Sequence, residues 1–238
     1  MPIKIFRLRE AREETLGVRW PNTRGLNEDL LNYVEAIIRD VRKRGDSALV
    51  DLTAKFDGVK LSPEHLRVSK KVIEEAYSKV GEEEISAIKL MKDRVERLER
   101  SILTRVLFEY KDEDHVEIRR EYRPIRSVGC YIPGGKAAYP STVAMTVVPA
   151  KVAGVSRIAV CSPPRSNGEV NPLTLVAADI CGADEVYMVG GVQAIAALAY
   201  GTETIKPVEK IVGPGNQYVL AAKSIVSRDV PIDFPAGP

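Results

Sequence analysis

Short apolar runs that end in Gly or Pro, each leading into a segment with helical spacing of apolar residues, recur from Ser127 onward. The five runs are SVGCYIPGG, RIAVCSPP, EVYMVGG, KIVGPGN and VPIDFPAGP. Strand and helix in alternation predict a parallel sheet, because parallel neighbours are joined by crossover connections. We therefore expect five near-parallel strands in a Rossmann-like, mostly parallel α/β/α domain, incomplete because no helical segment follows the fifth run.

The first half of the chain predicts helices. Apolar positions recur at helical spacing in residues 26–41, where Asn27 suits an N-cap and Gly45 suits a stop. The same spacing predicts further helices at residues 47–56, 72–80 and 82–105. In residues 106–126 the period shortens towards two, which indicates a hairpin or a pair of edge strands.

A domain boundary is expected near Pro124, where the helix-rich sequence gives way to the strand and helix repeat. It divides the chain into a helix-rich region with a strand pair near its end, residues 1–125, and a Rossmann-like domain, residues 126–238. The helix predicted at 82–105 carries a narrow apolar stripe among many charged residues. Its charged face is either solvated, which we favour because exposed helices commonly look this way, or a docking surface for another subunit.

Composition excludes several classes of protein. The chain has 238 residues, 45% of them apolar, and its net charge of +2 among 35 basic and 33 acidic residues gives no nucleic-acid footprint. Neither the N-terminus nor any other window has the apolar length of a signal peptide or a membrane span. We therefore expect a cytoplasmic protein without a nucleic-acid or membrane partner.

The cysteines and histidines predict no metal site in this chain. Cys130, Cys161 and Cys181 lie in or beside apolar runs without C-x-x-C spacing, which favours buried, reduced thiols. His65 and His115 lie in polar segments and have no Cys, His or carboxylate partner at metal-ligand spacing. Both histidines are interpreted as ordinary surface residues.

Glycines follow three of the predicted strands, at positions 134–135, 190–191 and 213–215. Because glycine lacks a side chain, such a turn lets the backbone approach a ligand closely or adopt a positive φ. A single glycine pair is explained as well by a tight turn between strand and helix. Three such turns at the carboxyl edge of one sheet favour a nucleotide-sized ligand.

Three side chains beside these turns are candidates for binding that ligand. Tyr131 can stack on a planar ring or fill the core. Gln193 and Asn216 can hydrogen-bond a nicotinamide, ribose or pyrophosphate, or can merely cap their helices, and capping is favoured for Asn216 taken alone. The Rossmann fingerprint itself is absent, because Tyr218 occupies the place of the third Gly or Ala in GPGNQY.

Longer stretches of the sequence resemble one family. They are VRKRGDSALVDLTAKFDGV, VGCYIPGGKAAYPSTVAMTVVPAKVAGV, NPLTLVAADICGADEVYMVGGVQAIAALAYGTETI, KIVGPGNQYVLAAK and IDFPAGP. Together they cover nearly the whole chain, in order, and resemble histidinol dehydrogenase. The resemblance implies an NAD-dependent enzyme of histidine biosynthesis that oxidises L-histidinol through the aldehyde to L-histidine, with a zinc ion and as a homodimer.

The resemblance implies NAD contacts at Tyr131, Gln193 and Asn216, the same side chains that flank the glycine turns. It places no catalytic residue and no metal ligand in this chain. In the family, IDFPAGP continues with Ser-Glu and ends in a Glu-His pair, and the substrate-contacting Ser, the acid/base Glu and His and the zinc ligands lie beyond the position of Pro238. We expect this chain alone to be nearly inactive, because losing one catalytic acid or base costs roughly 10²- to 10⁴-fold in rate.

Two other functions stay open. The chain is alternatively a non-catalytic nucleotide-binding or assembly module, or a related NAD-dependent dehydrogenase that acts on another polyol or amino alcohol. We favour part of a histidinol dehydrogenase over a complete non-catalytic module, because a sheet that ends in a turn without a covering helix exposes apolar surface.

Overall fold

A computed structural model of the chain describes residues 27–134 and 137–234. Residues 1–26, Gly135, Lys136 and the end of the fifth apolar run, residues 235–238, lie outside this described part. The helices are α1 Glu28–Arg44, α2 Asp46–Asp57, α3 Lys70–Tyr77, α4 Glu82–Val106, α5 Pro140–Val152, α6 Pro172–Cys181, α7 Gly191–Tyr200 and α8 Gln217–Val226. The strands are β1 Phe108–Lys111, β2 Glu117–Arg120, β3 Ser127–Tyr131, β4 Arg157–Ser162, β5 Glu185–Met188 and β6 Ile211–Val212.

The first helix forms where its caps and periodicity predict. The side chain of Asn27 accepts a hydrogen bond from the backbone N–H of Asp29 at 3.1 Å, which satisfies one of the free donors of the first turn. The helix ends at Gly45, whose φ of 57° suits a residue without Cβ. Acidic residues in the first turn and basic residues in the last complement the helix dipole. The predicted helix and both of its end signals are confirmed.

Four parallel strands form the main sheet, in the spatial order β5-β4-β3-β6. The chain runs outward from β3 through β4 to β5 and then returns to the other side of β3. This is the strand order of a Rossmann fold, and the reversal between β3 and β6 creates a crevice at their carboxyl ends. The predicted α/β class with a parallel sheet is confirmed.

The fifth apolar run forms less structure than expected. In its described part, residues 230–234, a single parallel bridge joins Ile232 to Ile211 of β6. Pro231 accepts a hydrogen bond from the N–H of Ile211 at 2.9 Å, but proline has no N–H of its own to extend a ladder. The run therefore lies beside β6 without becoming a regular strand there.

Side chains of the main sheet alternate between two helical layers. Cys130, Val160 and Val186 pack into the cluster that contains residues of α3, α4, α5 and α6. Cys161 and Tyr187 lie on the opposite face and pack into the cluster formed with α1, α2, α7 and α8. This alternation follows from the period of two along each strand. The sheet is thus covered on both faces, as parallel sheets are.

The strand pair predicted in residues 106–126 is confirmed as an antiparallel hairpin of β1 and β2. All of its strand residues are exposed. The preceding helix α4 buries Ile88 in the core, whereas Leu98 and Ile102 in its second half remain exposed. The division into domains at residue 125 stays a prediction, since α1 and α2 pack on the sheet itself.

The three cysteines are free and buried, as predicted. Burial raises the pKa of Cys130 to about 12 and that of Cys181 to about 11. The same cause raises the pKa of Cys161. Because the thiolate is the reactive form, these thiols are inert packing residues at neutral pH.

Candidate functional site

A cavity of about 430 Å³ lies at the carboxyl edge of the main sheet, beneath α1 and α2. The residues that follow β3, β4, β5 and β6 all contribute to its wall. Its lining residues are Tyr33, Ile37, Phe56, Asp57, Tyr131, Gly134, Pro163, Gly191, Val192, Gln193, Asn216 and Tyr218. The three side chains singled out in the sequence therefore line one cavity, because the carboxyl ends of parallel strands meet at one edge.

Tyr131 is the last residue of β3 and is almost fully buried. Its hydroxyl oxygen accepts a hydrogen bond from the backbone N–H of Gly191 at 3.1 Å, which joins the end of β3 to the start of α7. Burial raises the pKa of Tyr131 to about 12, so the hydroxyl is neutral at physiological pH. The core interpretation is therefore confirmed, and because Tyr131 also lines the cavity, its stacking on a ligand ring stays a prediction.

Gln193 lies in the first turn of α7 and is 1% exposed. Its Oε1 has no hydrogen-bond partner among the described residues. The preceding Gly191 has a φ of 64°, and a Cβ there would lie 2.9 Å from the same oxygen. Leaving a buried acceptor unpaired costs about 1–3 kcal/mol. Such an amide at a cavity wall is poised to receive a donor from a ligand.

Asn216 is the N-cap of α8. Its Oδ1 accepts hydrogen bonds from the N–H groups of Tyr218 at 3.0 Å and Val219 at 3.1 Å. The capping interpretation is therefore confirmed. Because the cap occupies Oδ1, the amide nitrogen is the part of this cavity-lining side chain that can still donate to a ligand.

The turn before Asn216 is fixed by close packing and by a buried ion pair. Gly213 has a φ of 116°, and a Cβ there would overlap the carbonyl oxygen of Tyr131. Lys223 is fully buried; its Nζ pairs with Asp233 and donates to the carbonyl oxygen of Gly213 at 2.8 Å. Asp233 in turn accepts from the N–H of Gly213 at 2.8 Å. The ion pair therefore holds both the N–H and the carbonyl group of Gly213 by hydrogen bonds.

Sequence reasoning did not identify Lys223 or Asp233. The available signal was a lysine within the otherwise apolar helix YVLAAKSIV, and an aspartate between the apolar residues of the fifth run. A charged residue at a buried helical position usually needs a partner. Which partner it has depends on how α8 packs beside β6, and this packing is not visible in local sequence.

Asp57 lines the cavity and was not identified from the sequence. It is the last residue of α2, where the helix dipole disfavours an acid. Its Oδ2 is buried and has no hydrogen-bond partner among the described residues. Burial raises the pKa of Asp57 to about 6. The signal in the sequence was an acidic residue directly before Gly58, but an Asp-Gly pair is also an ordinary turn.

Helices α7 and α8 both begin at this cavity, at Gly191 and Gln217. The N-terminus of a helix carries a partial positive charge and favours anions. The apolar and aromatic wall of the cavity suits planar rings, and the two helix ends suit phosphates. The amide side chains can hydrogen-bond the polar groups of such a ligand.

Residues 27–134 and 137–234 contain no group of three or more His, Cys, Asp or Glu that could hold a metal ion. His65 shares a hydrogen bond of 2.6 Å with the Ser62 hydroxyl in a short 3-10 turn, and His115 lies in the turn between β1 and β2. The described residues therefore do not fit a zinc site. Within the same ranges, no helix combines the length and apolar character that crossing a bilayer requires.

The chain is similar to one family of known proteins, histidinol dehydrogenase. The family model described as histidinol dehydrogenase matches residues 22–238. The chain is 50% identical over 211 residues to the histidinol dehydrogenase of Methanothermobacter thermautotrophicus, covering 89% of this chain and 49% of that protein. It is 45% identical over 238 residues to that of Rhizobium meliloti, covering 100% of this chain and 54% of that protein.

A crystal structure of histidinol dehydrogenase from Elizabethkingia anophelis superposes with a TM-score of 0.83 and 41% sequence identity. The match covers 89% of this chain and 48% of that one. The chain thus spans about half the length of the curated relatives it matches.

Proposed function

The chain belongs to the histidinol dehydrogenase family, and on that premise we propose that it provides the NAD-binding part of an enzyme that oxidises L-histidinol, through L-histidinal, to L-histidine. One observation carries the proposal: Tyr131, Gln193 and Asn216 converge on a single cavity at the carboxyl edge of the parallel sheet. Open α/β sheets bind nucleotides at this edge. A volume of about 430 Å³ lies within the range of cofactor sites.

Each of the three side chains has one group to offer NAD. Gln193 presents an unpaired amide oxygen to the N–H or O–H donors of the cofactor. Asn216 offers its amide nitrogen, because its oxygen caps α8. Tyr131 is held by Gly191, so its ring forms a fixed wall for a planar group. The beginnings of α7 and α8 supply partial positive charge for the pyrophosphate.

NAD, when bound, supplies the acceptor for the hydride of the alcohol. The residues of this chain bind and orient that cofactor and keep water from its ring. Oxidising an alcohol also requires its proton to leave, which needs a positioned base or a metal. Since the described residues do not fit zinc, we propose that the zinc ligands, the acid/base residues and the histidinol contacts belong to the part of the family's sequence that this chain does not match. The homodimer and the cytoplasmic location implied by the resemblance are part of the same proposal.

Calorimetric titration of NAD into the 238-residue chain tests the binding role. We expect weak binding that is unchanged by zinc. Gln193→Leu and Asn216→Asp should each weaken it about 3- to 10-fold, the value of one lost hydrogen bond. Asn216→Asp keeps an oxygen that can cap α8, and Gln193→Leu removes an unpaired buried oxygen, so neither variant should lower the melting temperature.

Asn171→Asp is the matched control, because Asn171 caps α6 in the same way, through the N–H of Leu173 at 3.0 Å. It does not line the cavity and should bind NAD as the wild type does. A folded wild-type chain that binds no NAD contradicts the proposal. Equal NAD affinity in the Gln193 and Asn216 variants contradicts the assignment of these residues.

A further inference from the structure

The Asp57 carboxylate lines the cavity, and one of its oxygens has no partner among residues 27–134 and 137–234. Its buried Oδ2 receives no hydrogen bond from any described residue, and within the described ranges Asp57 takes part in no ion pair. It lines the same cavity as Phe56 and Tyr131, and its charge raises the pKa of Tyr131. A partly buried carboxylate without a donor raises the free energy of the folded chain.

Other buried acids of this fold are satisfied. Asp46 accepts hydrogen bonds from both the N–H and the hydroxyl of Thr204, and Asp233 pairs with Lys223. Asp46 also fixes α2, because its own N–H donates to Glu203 at 2.7 Å. The helix that carries Asp57 is therefore anchored at its start, and its last residue lies at the cavity with an oxygen that no described residue contacts by a hydrogen bond.

A ligand with hydroxyl donors would satisfy this carboxylate. The cavity's aromatic wall and two helix N-termini suit a nucleotide, and the donors of a nucleotide sugar are the vicinal hydroxyls of ribose. In Rossmann folds an acid that binds the ribose follows the second strand of the sheet. Here β4 is that strand, and it is followed by Pro163 and Pro164, so the usual acid is missing. Asp57 reaches the same cavity from α2 instead.

We propose that Asp57 accepts hydrogen bonds from the adenosine ribose hydroxyls of the dinucleotide in this cavity and thereby selects NAD over its 2′-phosphorylated form, NADP. The assignment rests on the proposed function. Two ribose hydroxyls provide the donors that the described residues do not offer to Oδ2. A 2′-phosphate would remove one donor and place negative charge beside a carboxylate, where burial strengthens the repulsion.

The test compares NAD, NADP and 2′-deoxyadenosine NAD by calorimetry on the 238-residue chain. The wild type should bind NAD at least about tenfold more tightly than either analogue, the equivalent of one charged hydrogen bond. Asn has nearly the same shape as Asp, and the Asp57→Asn variant should bind NAD about tenfold more weakly than the wild type. In this variant the affinities for the three ligands should also differ by no more than about threefold. Asp51→Asn, an exposed change on the same helix, is the control and should leave all three affinities unchanged.

The outcomes separate this inference from the proposed function. A folded wild-type chain that binds no NAD overturns both. If the wild type binds NAD, but Asp57→Asn keeps both the affinity and the preference over NADP, only the ribose assignment is overturned. Equal wild-type affinities for NAD and its 2′-deoxy analogue overturn it as well, and this measurement does not depend on the stability of any variant.

Discussion

Replacing Asp57 by Asn should stabilise the ligand-free chain at pH 7. Burial raises the pKa of Asp57 from 3.8 to about 6 in the folded chain, so folding opposes its ionisation. A shift of roughly two units corresponds to about 3 kcal/mol for a fully shielded group. Because this side chain is partly exposed to solvent, screening reduces the expected gain to about 1–2 kcal/mol. Asn keeps the shape and carries no charge.

The sign of the pH dependence follows from the direction of the shift. For an acid with a raised folded pKa, the folded state binds more protons between pH 3.8 and about 6, so the contribution of Asp57 to stability falls as pH rises through that window. The destabilisation caused by the ionised Asp57 carboxylate is complete above about pH 6 and absent below about pH 4. Tyr131, the neighbouring titratable group, has a pKa raised to about 12 and stays neutral throughout.

Urea unfolding of wild type and Asp57→Asn at pH 7 and pH 4 measures this difference directly. The variant should be more stable at pH 7 and equal to the wild type at pH 4, with a rise in Tm at pH 7 of about 2 to 8 °C. Asp51→Asn should show no gain at either pH, because Asp51 is exposed and paired with Arg44 at 2.6 Å. Destabilisation of Asp57→Asn at pH 7, or the same difference at both pH values, would refute the reasoning.

Two further changes test the turn that carries Asn216. Lys223→Met should lower the free energy of unfolding by about 3 kcal/mol, because it leaves the carboxylate of Asp233 without its buried partner; urea unfolding would contradict this with a loss below 1 kcal/mol. Gly213→Ala should prevent stable folding, since its Cβ would overlap the Tyr131 carbonyl oxygen. Gly58→Ala is its matched comparison, with a positive φ of 71° but open space around the Cβ, and should cost only about 1 kcal/mol in thermal or urea unfolding. Similar losses in the two glycine variants would disprove the argument from packing.

Local structure was predictable where short-range interactions decide it. The helix from Glu28 to Arg44 follows from its apolar spacing and from a cap and a stop that are neighbours in sequence. The hairpin of β1 and β2 follows from a period of two. The fifth apolar run had the composition of a strand but forms only a bridge at Ile232 in its described part, since pairing depends on the partner strand as well as on the run.

Some cavity residues could be predicted from the sequence, and others could not. Tyr131, Gln193 and Asn216 follow parallel strands directly, and the topology of a parallel sheet brings strand ends to one edge, so their convergence could be expected. Asp57 lies on a different layer, and only the packing of α2 over that edge brings it there.

The sequence by itself determined the strand and helix repeat, the caps of its helices and the glycines that close its turns, because these depend on residues within a few positions of one another. Tertiary structure alone decided that Lys223 is buried against Asp233 and that the Oδ2 of Asp57 lies at the cavity wall without a donor from the described part of the chain. Burial and the distance between charges arise from contacts across the fold, and these set the electrostatic free energy of each group.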